Sequence, residues 1–244
     1  MLKLPPPPPD LIDGAALFLD FDGTLIELAE SPDAIDVPPR LGLLLARLQR
    51  RLHGRLAIVS GRSVADLERY IPVPDIPFSG SHGLELRLSD GARVPLHAPR
   101  GMGSVRERVR LFADEREGLL VEDKPAGVAL HYRRAPDEEL RVARFMEELA
   151  REAELVLQHG NMVVELRPPG ADKGDAVRAL MAQDPFAGAR PIFLGDDLTD
   201  EHAFEAVAGM DGAGVLVGPA RATAAHYRLP SVAAVAEWLE AAAA

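Results

Sequence analysis

Short apolar runs recur along the chain, and three of them end directly on polar residues. They are residues 15–19 before Asp20, residues 56–59 before Ser60, and residues 191–194 before Gly195-Asp196-Asp197. Near-continuous apolar runs of this length are typical of strands buried on both faces of a parallel sheet. Ligands bind beyond the carboxyl ends of the strands in such sheets. We therefore expect these polar residues to meet at one edge of a sheet.

Predicted strands and helices alternate in two stretches of the chain. The first has strand 15–19, helix 39–52, strand 56–60, helix 63–70 and strand 77–80; the second has helix 172–182, strand 191–195, helix 199–208, strand 213–217 and helix 231–241. Helix 39–52 presents an apolar stripe made of Leu41, Leu44, Leu45 and Leu48. This alternation predicts an α/β core with a parallel sheet and helices on both of its faces.

Residues 84–170 follow a different pattern. Their predicted elements are helix 104–117, strands 119–122 and 127–133, helix 137–152, and strands 154–158 and 161–167. Helix-strand-strand, repeated twice, favours an antiparallel sheet with its helices on one face. We therefore predict a core over residues 1–83 and 171–244, with an inserted α+β cap over residues 84–170 that lies over the strand ends as a lid.

Composition narrows the classes of function. The 244 residues are 47% hydrophobic, contain no cysteine and carry 27 basic against 38 acidic side chains. Without cysteine, a metal here needs oxygen or imidazole ligands. The net charge of −11 argues against nucleic-acid and anionic-membrane partners. No run approaches the ~20 apolar residues of a membrane span, and the proline-rich start lacks a signal-peptide pattern, so we expect a cytoplasmic protein.

The stretch Asp20-Phe21-Asp22-Gly23-Thr24 places two acids at the end of a buried strand. Hydrolysis of a phosphate monoester needs an in-line nucleophile, charge neutralisation and a proton for the leaving alcohol. Asp20 can be the nucleophile and form an aspartyl-phosphate, and Asp22 can donate the proton and later accept one from water. We expect Thr24 to orient Asp22. The alternative for each aspartate is a helix cap or a turn.

Three further motifs supply polar groups. Asp196 and Asp197 could join Asp20 and Asp22 in an oxygen-only Mg²⁺ site, although the same stretch also suits a helix N-terminus. Ser60-Gly61-Arg62 could cradle phosphate oxygens, or form an ordinary turn. Only three of the 27 basic residues are lysine. One of them, Lys173, begins a predicted helix, where the dipole disfavours a cation, so it needs a partner such as Asp20 or a phosphate unless it is solvated.

These four motifs, in chain order, resemble those of the haloacid dehalogenase superfamily. Within it the chain is similar to the trehalose-6-phosphate phosphatases. The stretches that carry the narrower resemblance are Val59-Ser-Gly-Arg62, Gly80-Ser-His-Gly83, Ala129-Leu-His-Tyr-Arg133, Val164-Glu-Leu-Arg-Pro168 and Gly195-Asp-Asp-Leu-Thr-Asp-Glu201. The resemblance implies a Rossmann-like core with a cap, and Mg²⁺-dependent hydrolysis of trehalose 6-phosphate to trehalose and phosphate, the last step of trehalose biosynthesis.

The resemblance also implies residue roles. Asp20 and Asp196 would bind the metal through side chains and Asp22 through its backbone carbonyl. Ser60, Gly61 and Lys173 would bind the phosphate. The residues implied for sugar and substrate binding are Arg62, His82, Glu122, Lys124 and Glu165. For His82 a structural hydrogen bond is an equally open interpretation, and for the cap acids so is a surface salt bridge.

Other functions stay open at this point. The chain could be another lidded sugar phosphatase, acting on sucrose or mannosyl phosphates, or a phosphosugar mutase of the same superfamily. A catalytically silent regulatory module is a third interpretation. It is disfavoured because Asp20, Asp22, Lys173 and Asp196 are all present.

Overall fold

The computed structural model describes residues 4–29, 35–94, 101–124, 127–169 and 172–243. The chain divides into two compact units: a larger one of Met1–Val94 with Ala171–Ala244, and a smaller one of Pro95–Gly170. No helix within the described ranges is both long and apolar enough to cross a membrane.

The elements follow the predicted order closely. The strands are β1 (Ala15–Leu19), β2 (Leu56–Val59), β3 (Phe78–Gly80), β4 (Glu85–Arg87), β5 (Arg93–Val94), β6 (Leu120–Asp123), β7 (Val128–His131), β8 (Val156–Gly160), β9 (Val163–Arg167), β10 (Arg190–Gly195), β11 (Ala213–Val217) and β12 (Tyr227–Leu229). The α-helices are α1 (Pro39–Arg51), α2 (Val64–Tyr70), α3 (Met102–Asp114), α4 (Glu139–Glu152), α5 (Lys173–Met181), α6 (Glu201–Ala208) and α7 (Val232–Ala242).

The larger unit is built on one eight-stranded sheet with the order β12-β11-β10-β1-β2-β3-β4-β5. The strands from β12 to β3 pair in parallel, with β1 at the centre between β10 and β2. Every residue of β1 is buried. The predicted parallel sheet of an α/β fold is therefore confirmed, and the carboxyl ends of β1, β2 and β10 lie side by side.

Two apolar clusters lie on opposite faces of this sheet. Leu17 and Leu19 belong to the cluster that includes the leucine stripe of α1 and residues of α7, whereas Phe18 belongs to the cluster with α5 and α6. Phe18 also stacks on Phe186, with 5.5 Å between the ring centroids. Successive side chains of a strand point to opposite faces, so β1 holds helices on both sides and its end is fixed firmly in place.

Two strands extend the larger sheet where the sequence predicts the start of the insertion. β4 pairs antiparallel with β3, and β5 pairs antiparallel with β4. The compact unit consequently ends at Val94 rather than at residue 83, because these short strands hydrogen-bond to the sheet instead of leaving it. The predicted second boundary, at residues 170 and 171, lies outside the described residues.

The proline-rich N-terminal segment packs onto the larger unit. The Pro5 carbonyl accepts a hydrogen bond of 3.0 Å from the Arg228 amide, and the Pro8 carbonyl accepts one of 3.3 Å from the Trp238 indole. The Pro8 backbone has φ −66° and ψ 151°, which lies in the polyproline II region. The segment therefore has a structural attachment to β12 and α7.

The smaller unit contains a four-stranded sheet with the order β6-β7-β9-β8. All three pairings are antiparallel. Leu130 and Leu166 on this sheet share one apolar cluster with Val109 of α3 and Met146 of α4. The predicted antiparallel sheet with helices on one face is confirmed.

Candidate active site

Asp20 lies at the carboxyl end of β1 and is 4% exposed. Its amide donates a 3.0 Å hydrogen bond to the Leu194 carbonyl of β10, so the ends of the two strands are tied together. The chain then turns through Gly23, whose φ is +76°. A Cβ at Gly23 would overlap the carboxylate of Asp196, so only glycine lets the turn pass this close to the acid.

A buried cluster of acids surrounds the ammonium group of Lys173. Asp20, Asp196 and Asp200 each place a carboxylate oxygen within 4.8 Å of the others. Lys173 Nζ lies 2.9 Å from Asp20 Oδ1 and 2.6 Å from Asp200 Oδ1, and the residue is 3% exposed. The structure thus gives Lys173 two carboxylate partners at the start of α5.

The start of α5 is fixed by its own hydrogen bonds. Asp172 and Asp175 form a capping box, in which the Asp172 carboxylate accepts from the Asp175 amide and the Asp175 carboxylate accepts from the Asp172 amide. A capping box satisfies two backbone donors that the helix itself leaves open. This local motif holds Lys173 at the first helical position, directed into the acid cluster.

The electrostatics of the cluster favour an additional cation. Burial raises the pKa of Asp20 well above its ordinary value, although Lys173 opposes this, and the charges of Asp200 and Asp196 raise it further. Burial and the charge of Asp200 raise the pKa of Asp196 to about 7. The cluster contains three carboxylates and one ammonium group, so when ionised it has excess negative charge. An oxygen-only, negatively charged cluster of this kind fits a hard divalent cation.

Asp22 takes a different position from the three clustered acids. Its carboxylate forms a bidentate pair with Arg62, with 2.6 Å from Arg62 Nε to Asp22 Oδ2 and 2.8 Å from Nη2 to Oδ1. The Arg62 guanidinium carbon also lies 5.7 Å from the Phe21 ring centroid and 5.5 Å from that of Tyr70. We expected Thr24 to orient Asp22. In the structure Thr24 Oγ1 instead lies 3.5 Å from Asp196 Oδ1.

The loop after β2 is supported by the loop after β3. The Ser60 hydroxyl accepts from the Arg62 amide at 3.1 Å, while the Ser81 and His82 amides donate to the carbonyls of Arg62 and Ser60 at 2.7 and 3.1 Å. Ser81 and His82 both have positive φ, +48° and +55°, which is uncommon for residues other than glycine. A Cβ at Gly61 would overlap the His82 ring, so His82 packs directly against this loop.

Two residues at or beside the acid cluster, Asp200 and Arg221, were assigned no role from the sequence. Asp200 is fully buried, and its Oδ2 accepts from the Asp197 amide at 2.9 Å; its spacing of four residues from Asp196 was the available signal. Asp197 itself is exposed and caps the next turn through the Leu198 amide. Arg221 donates to the carbonyls of Asp196 and Asp197 at 3.3 and 2.8 Å and pairs with Glu201, which no local pattern signals.

In the smaller unit, the structure brings together the three predicted sugar-binding residues. Lys124 Nζ lies 3.3 Å from Glu165 Oε2 and 3.8 Å from Glu122 Oε1. His131 Nε2 lies 2.9 Å from Glu122 Oε2. Burial acts to raise the pKa of Glu122, but the hydrogen bond with His131 and the charge of Lys124 outweigh it and lower the pKa.

Comparison with known proteins places these motifs in a family. A sequence model described as Trehalose-phosphatase matches residues 18–233. The chain is 42% identical over 210 residues to a probable trehalose-phosphate phosphatase of Sinorhizobium fredii, covering 85% of this chain and 79% of the relative. It is 36% identical over 234 residues to the trehalose-6-phosphate phosphatase of Escherichia coli, covering 95% and 88%.

Solved structures agree with this placement. A trehalose-6-phosphate phosphatase related protein matches with a TM-score of 0.79 at 30% identity, covering 92% of this chain and 95% of that one. The C-terminal domain of the Candida albicans trehalose-6-phosphate phosphatase shares the fold, with a TM-score of 0.84 at 24% identity over 99% and 98% of the two chains. From its motifs, its fold and these relatives, the chain belongs to the trehalose-phosphatase family of the haloacid dehalogenase superfamily.

Proposed function

We propose that this chain hydrolyses trehalose 6-phosphate to trehalose and phosphate through an aspartyl-phosphate on Asp20, with Mg²⁺ as its cofactor. Its family is one of phosphoric monoester hydrolases. The observation that carries the proposal is the buried Asp20 at the end of β1, in contact with Lys173 and clustered with Asp196 and Asp200.

In the first step a carboxylate oxygen of Asp20 attacks phosphorus as the bond between phosphorus and the sugar oxygen breaks. Lys173, 2.9 Å from Asp20 Oδ1, orients the nucleophile and acts against the rise in its pKa that burial causes. The Ser60 hydroxyl and the Gly61 amide bind phosphoryl oxygens, together with Lys173. In the second step water attacks the phosphorus of the aspartyl-phosphate, which releases phosphate and restores Asp20.

Asp22 is the proposed acid and base. It donates a proton to the departing sugar oxygen in the first step and takes one from the attacking water in the second. Both of its oxygens contact Arg62 in the structure, so donation requires one of those two hydrogen bonds to be released. Arg62 and His82, which support the loops after β2 and β3, are proposed to contact the substrate.

The residues present fit a Mg²⁺ site. Asp20 and Asp196 would hold the ion through side-chain oxygens and Asp22 through its backbone carbonyl, while Asp200 remains the partner of Lys173. When bound, the ion supplies positive charge that neutralises the phosphoryl oxygens. Arg221 donates hydrogen bonds to the carbonyls beside Asp196 and so holds this loop in position.

The smaller unit is proposed to be the cap that recognises the sugar. Glu122 and Glu165 each place a carboxylate oxygen within 4 Å of the Lys124 ammonium group, so charged donors and acceptors lie together. Charged groups form the stronger class of hydrogen bonds in proteins, and sugar hydroxyls can both donate and accept. These three residues are therefore assigned to the hydroxyl groups of the trehalose moiety.

The proposal is tested by measuring phosphate release from a panel of sugar phosphates. We expect trehalose 6-phosphate to give the highest kcat/KM, above sucrose, mannosyl and glucose phosphates, and Asp20→Asn to be inactive on all of them while keeping its circular dichroism spectrum. A higher kcat/KM on another sugar phosphate would replace the substrate assignment. Turnover by Asp20→Asn near the wild-type rate would refute the aspartyl-phosphate mechanism.

A further inference from the structure

The polar face of the smaller sheet carries a row of side chains that crosses all four strands. The strand register pairs each member of this row with the next: Glu122 of β6 with Ala129 of β7, Ala129 with Glu165 of β9, and Glu165 with Gln158 of β8. Directly opposed residues share one face of a sheet, with their Cβ atoms about 5 Å apart. We call these four residues the cross-strand row.

The row lies on the face of the sheet that α3 and α4 do not cover. The alternate residues of the same strands, such as Leu130, Leu157 and Leu166, pack in the apolar cluster with those helices. Because side chains alternate between faces, the cross-strand row points away from α3 and α4. Gln158 is therefore on the same face as the proposed sugar-binding residues, and its neighbour His159 is on the other face.

Two groups of contacts lie along the row, and the register of β8 and β9 places them side by side. Lys124 bridges Glu122 and Glu165, and Ala129 lies between those two acids in the strand register. Beyond Glu165, Gln158 Oε1 accepts a 2.9 Å hydrogen bond from Arg167 Nε. Gln158 thus extends the array by one strand beyond the residues assigned from the motifs.

The contact with Arg167 fixes the orientation of the Gln158 amide. A guanidinium group only donates, so the atom that faces it must be the amide oxygen, and the amide nitrogen with its two donors points the other way. Arg167 is 8% exposed and Glu165 is 7% exposed. Because Arg167 is buried and hydrogen-bonded to Gln158, the Gln158 amide has a defined position, as preorganised recognition of a ligand requires.

The width of the array suits an extended sugar ligand. Neighbouring strands lie about 4.8 Å apart, so the span from β6 to β9 is roughly 10 Å and the addition of β8 brings it to roughly 14 Å. A substrate with two sugar rings presents hydroxyl groups over a longer distance than one with a single ring. The additional strand spacing at Gln158 matches that difference.

We propose that Gln158 is a specificity-determining residue, whose amide nitrogen donates to a hydroxyl of the second sugar ring and so favours disaccharide over monosaccharide phosphates. This rests on the proposed function, and it concerns a residue outside the motifs that indicate that function. Arg167, whose Nε donates to the Gln158 amide oxygen, is a positioning residue for Gln158.

The test compares kcat/KM on trehalose 6-phosphate and on glucose 6-phosphate for Gln158→Ala, Gln158→Glu and the matched control His159→Ala. We expect Gln158→Ala to lose about tenfold on the disaccharide, as for one neutral hydrogen bond, and less than about twofold on the monosaccharide. Gln158→Glu keeps the shape and an acceptor for Arg167 but loses the donors, so its loss should be at least as large. His159→Ala should retain the wild-type ratio.

Equal losses on both substrates, or no loss on trehalose 6-phosphate, would overturn the inference. Thermal unfolding of each variant separates a folding defect from a change of specificity, and the isosteric Gln158→Glu covers the case in which Gln158→Ala is unstable. The wild-type enzyme distinguishes the two proposals. Failure of the wild-type enzyme to hydrolyse trehalose 6-phosphate would refute the proposed function. Wild-type preference for trehalose 6-phosphate together with an unchanged substrate ratio in Gln158→Ala would refute only the role of Gln158.

Discussion

The two units each contain a buried cluster of charged residues, but the balance of charge within the clusters differs. In the larger unit, Asp20, Asp196 and Asp200 share one lysine, Lys173. In the smaller unit, two acids, Glu122 and Glu165, lie with two cations, Lys124 and Arg167, and with His131 and Gln158 as further hydrogen-bond partners. One cluster has an excess of negative charge and the other is balanced.

The difference in balance matches a difference in the proposed ligands. Burial and the charges of the neighbouring acids together raise the pKa of Asp20 and Asp196, which is the expected state of a site that a divalent cation would complete. In the balanced cluster the pKa of Glu122 is lowered, so its carboxylate stays ionised without a metal. A balanced array of ionised donors and acceptors suits a neutral, hydroxyl-rich ligand.

The largest expected effect is on the free energy of unfolding, and it should differ between substitutions of Lys173 and Lys124. Lys173→Met should lower the free energy of unfolding by about 3–5 kcal/mol, because it leaves buried carboxylates without their cation. Lys124→Met should cost about 1 kcal/mol, because Lys124 is more exposed and Glu122 keeps its contact with His131. Urea unfolding followed by circular dichroism measures both. Equal losses for the two variants would mean that the clusters do not differ as described.

The next largest effect is on kcat/KM, and it should differ between a substrate that contains a sugar and one that does not. Alanine at Glu122, Lys124 or Glu165 should each cost ~2–4 kcal/mol in kcat/KM on trehalose 6-phosphate, as for truncation of a charged hydrogen bond. The same variants should change little on p-nitrophenyl phosphate, which has no sugar to bind. Steady-state kinetics on both substrates decide the point. Parallel losses would assign these residues to the fold of the smaller unit instead.

The smallest effect is the pH dependence of stability. The pKa of Asp196 is raised from 3.8 to about 7, so the stability it contributes is full below pH 3.8 and is lost as the pH rises through about 7. The lowered pKa of Glu122 acts in the opposite direction, because its contribution is present above 4.5 and is lost as the pH falls through the folded value.

The raised pKa of Asp196 predicts that Mg²⁺ stabilises the protein more at pH 8 than at pH 5. Because Asp196 must lose its proton to bind the ion, the increase in Tm on adding Mg²⁺ should be larger at the higher pH by on the order of a few °C. Differential scanning fluorimetry of the EDTA-treated protein at both pH values measures it, with Asp196→Asn as the control that should lose the effect. A shift independent of pH would remove Asp196 from the proposed ligands.

The sequence was sufficient to predict the site residues that directly follow buried strands. Asp20, Ser60 and Asp196 directly follow buried parallel strands, so their position at one edge is set by the sheet itself. Lys173 was found because a cation at a helix start needs a partner, and Asp20 is one of the two it has.

The rest depends on packing between segments that are distant in the chain. Asp200 is buried against Lys173 only because α5 and α6 pack together, and the sequence shows it simply as one acid among several. The pairing of Asp22 with Arg62 depends on neighbouring strand ends. The place of Gln158 beside Glu165 depends on the register between β8 and β9, which alternation within a single strand does not determine.

The most direct test of the account traps the covalent intermediate. Wild-type and Asp22→Asn enzymes are mixed with trehalose 6-phosphate and Mg²⁺, quenched in acid within the first turnover, and analysed by tandem mass spectrometry of peptides. We predict one phosphoryl group on Asp20, with none in Asp20→Asn and none after EDTA treatment. A phosphoryl group on any other residue, or rapid turnover of trehalose 6-phosphate with Asp20 unmodified at every quench time, would contradict the account.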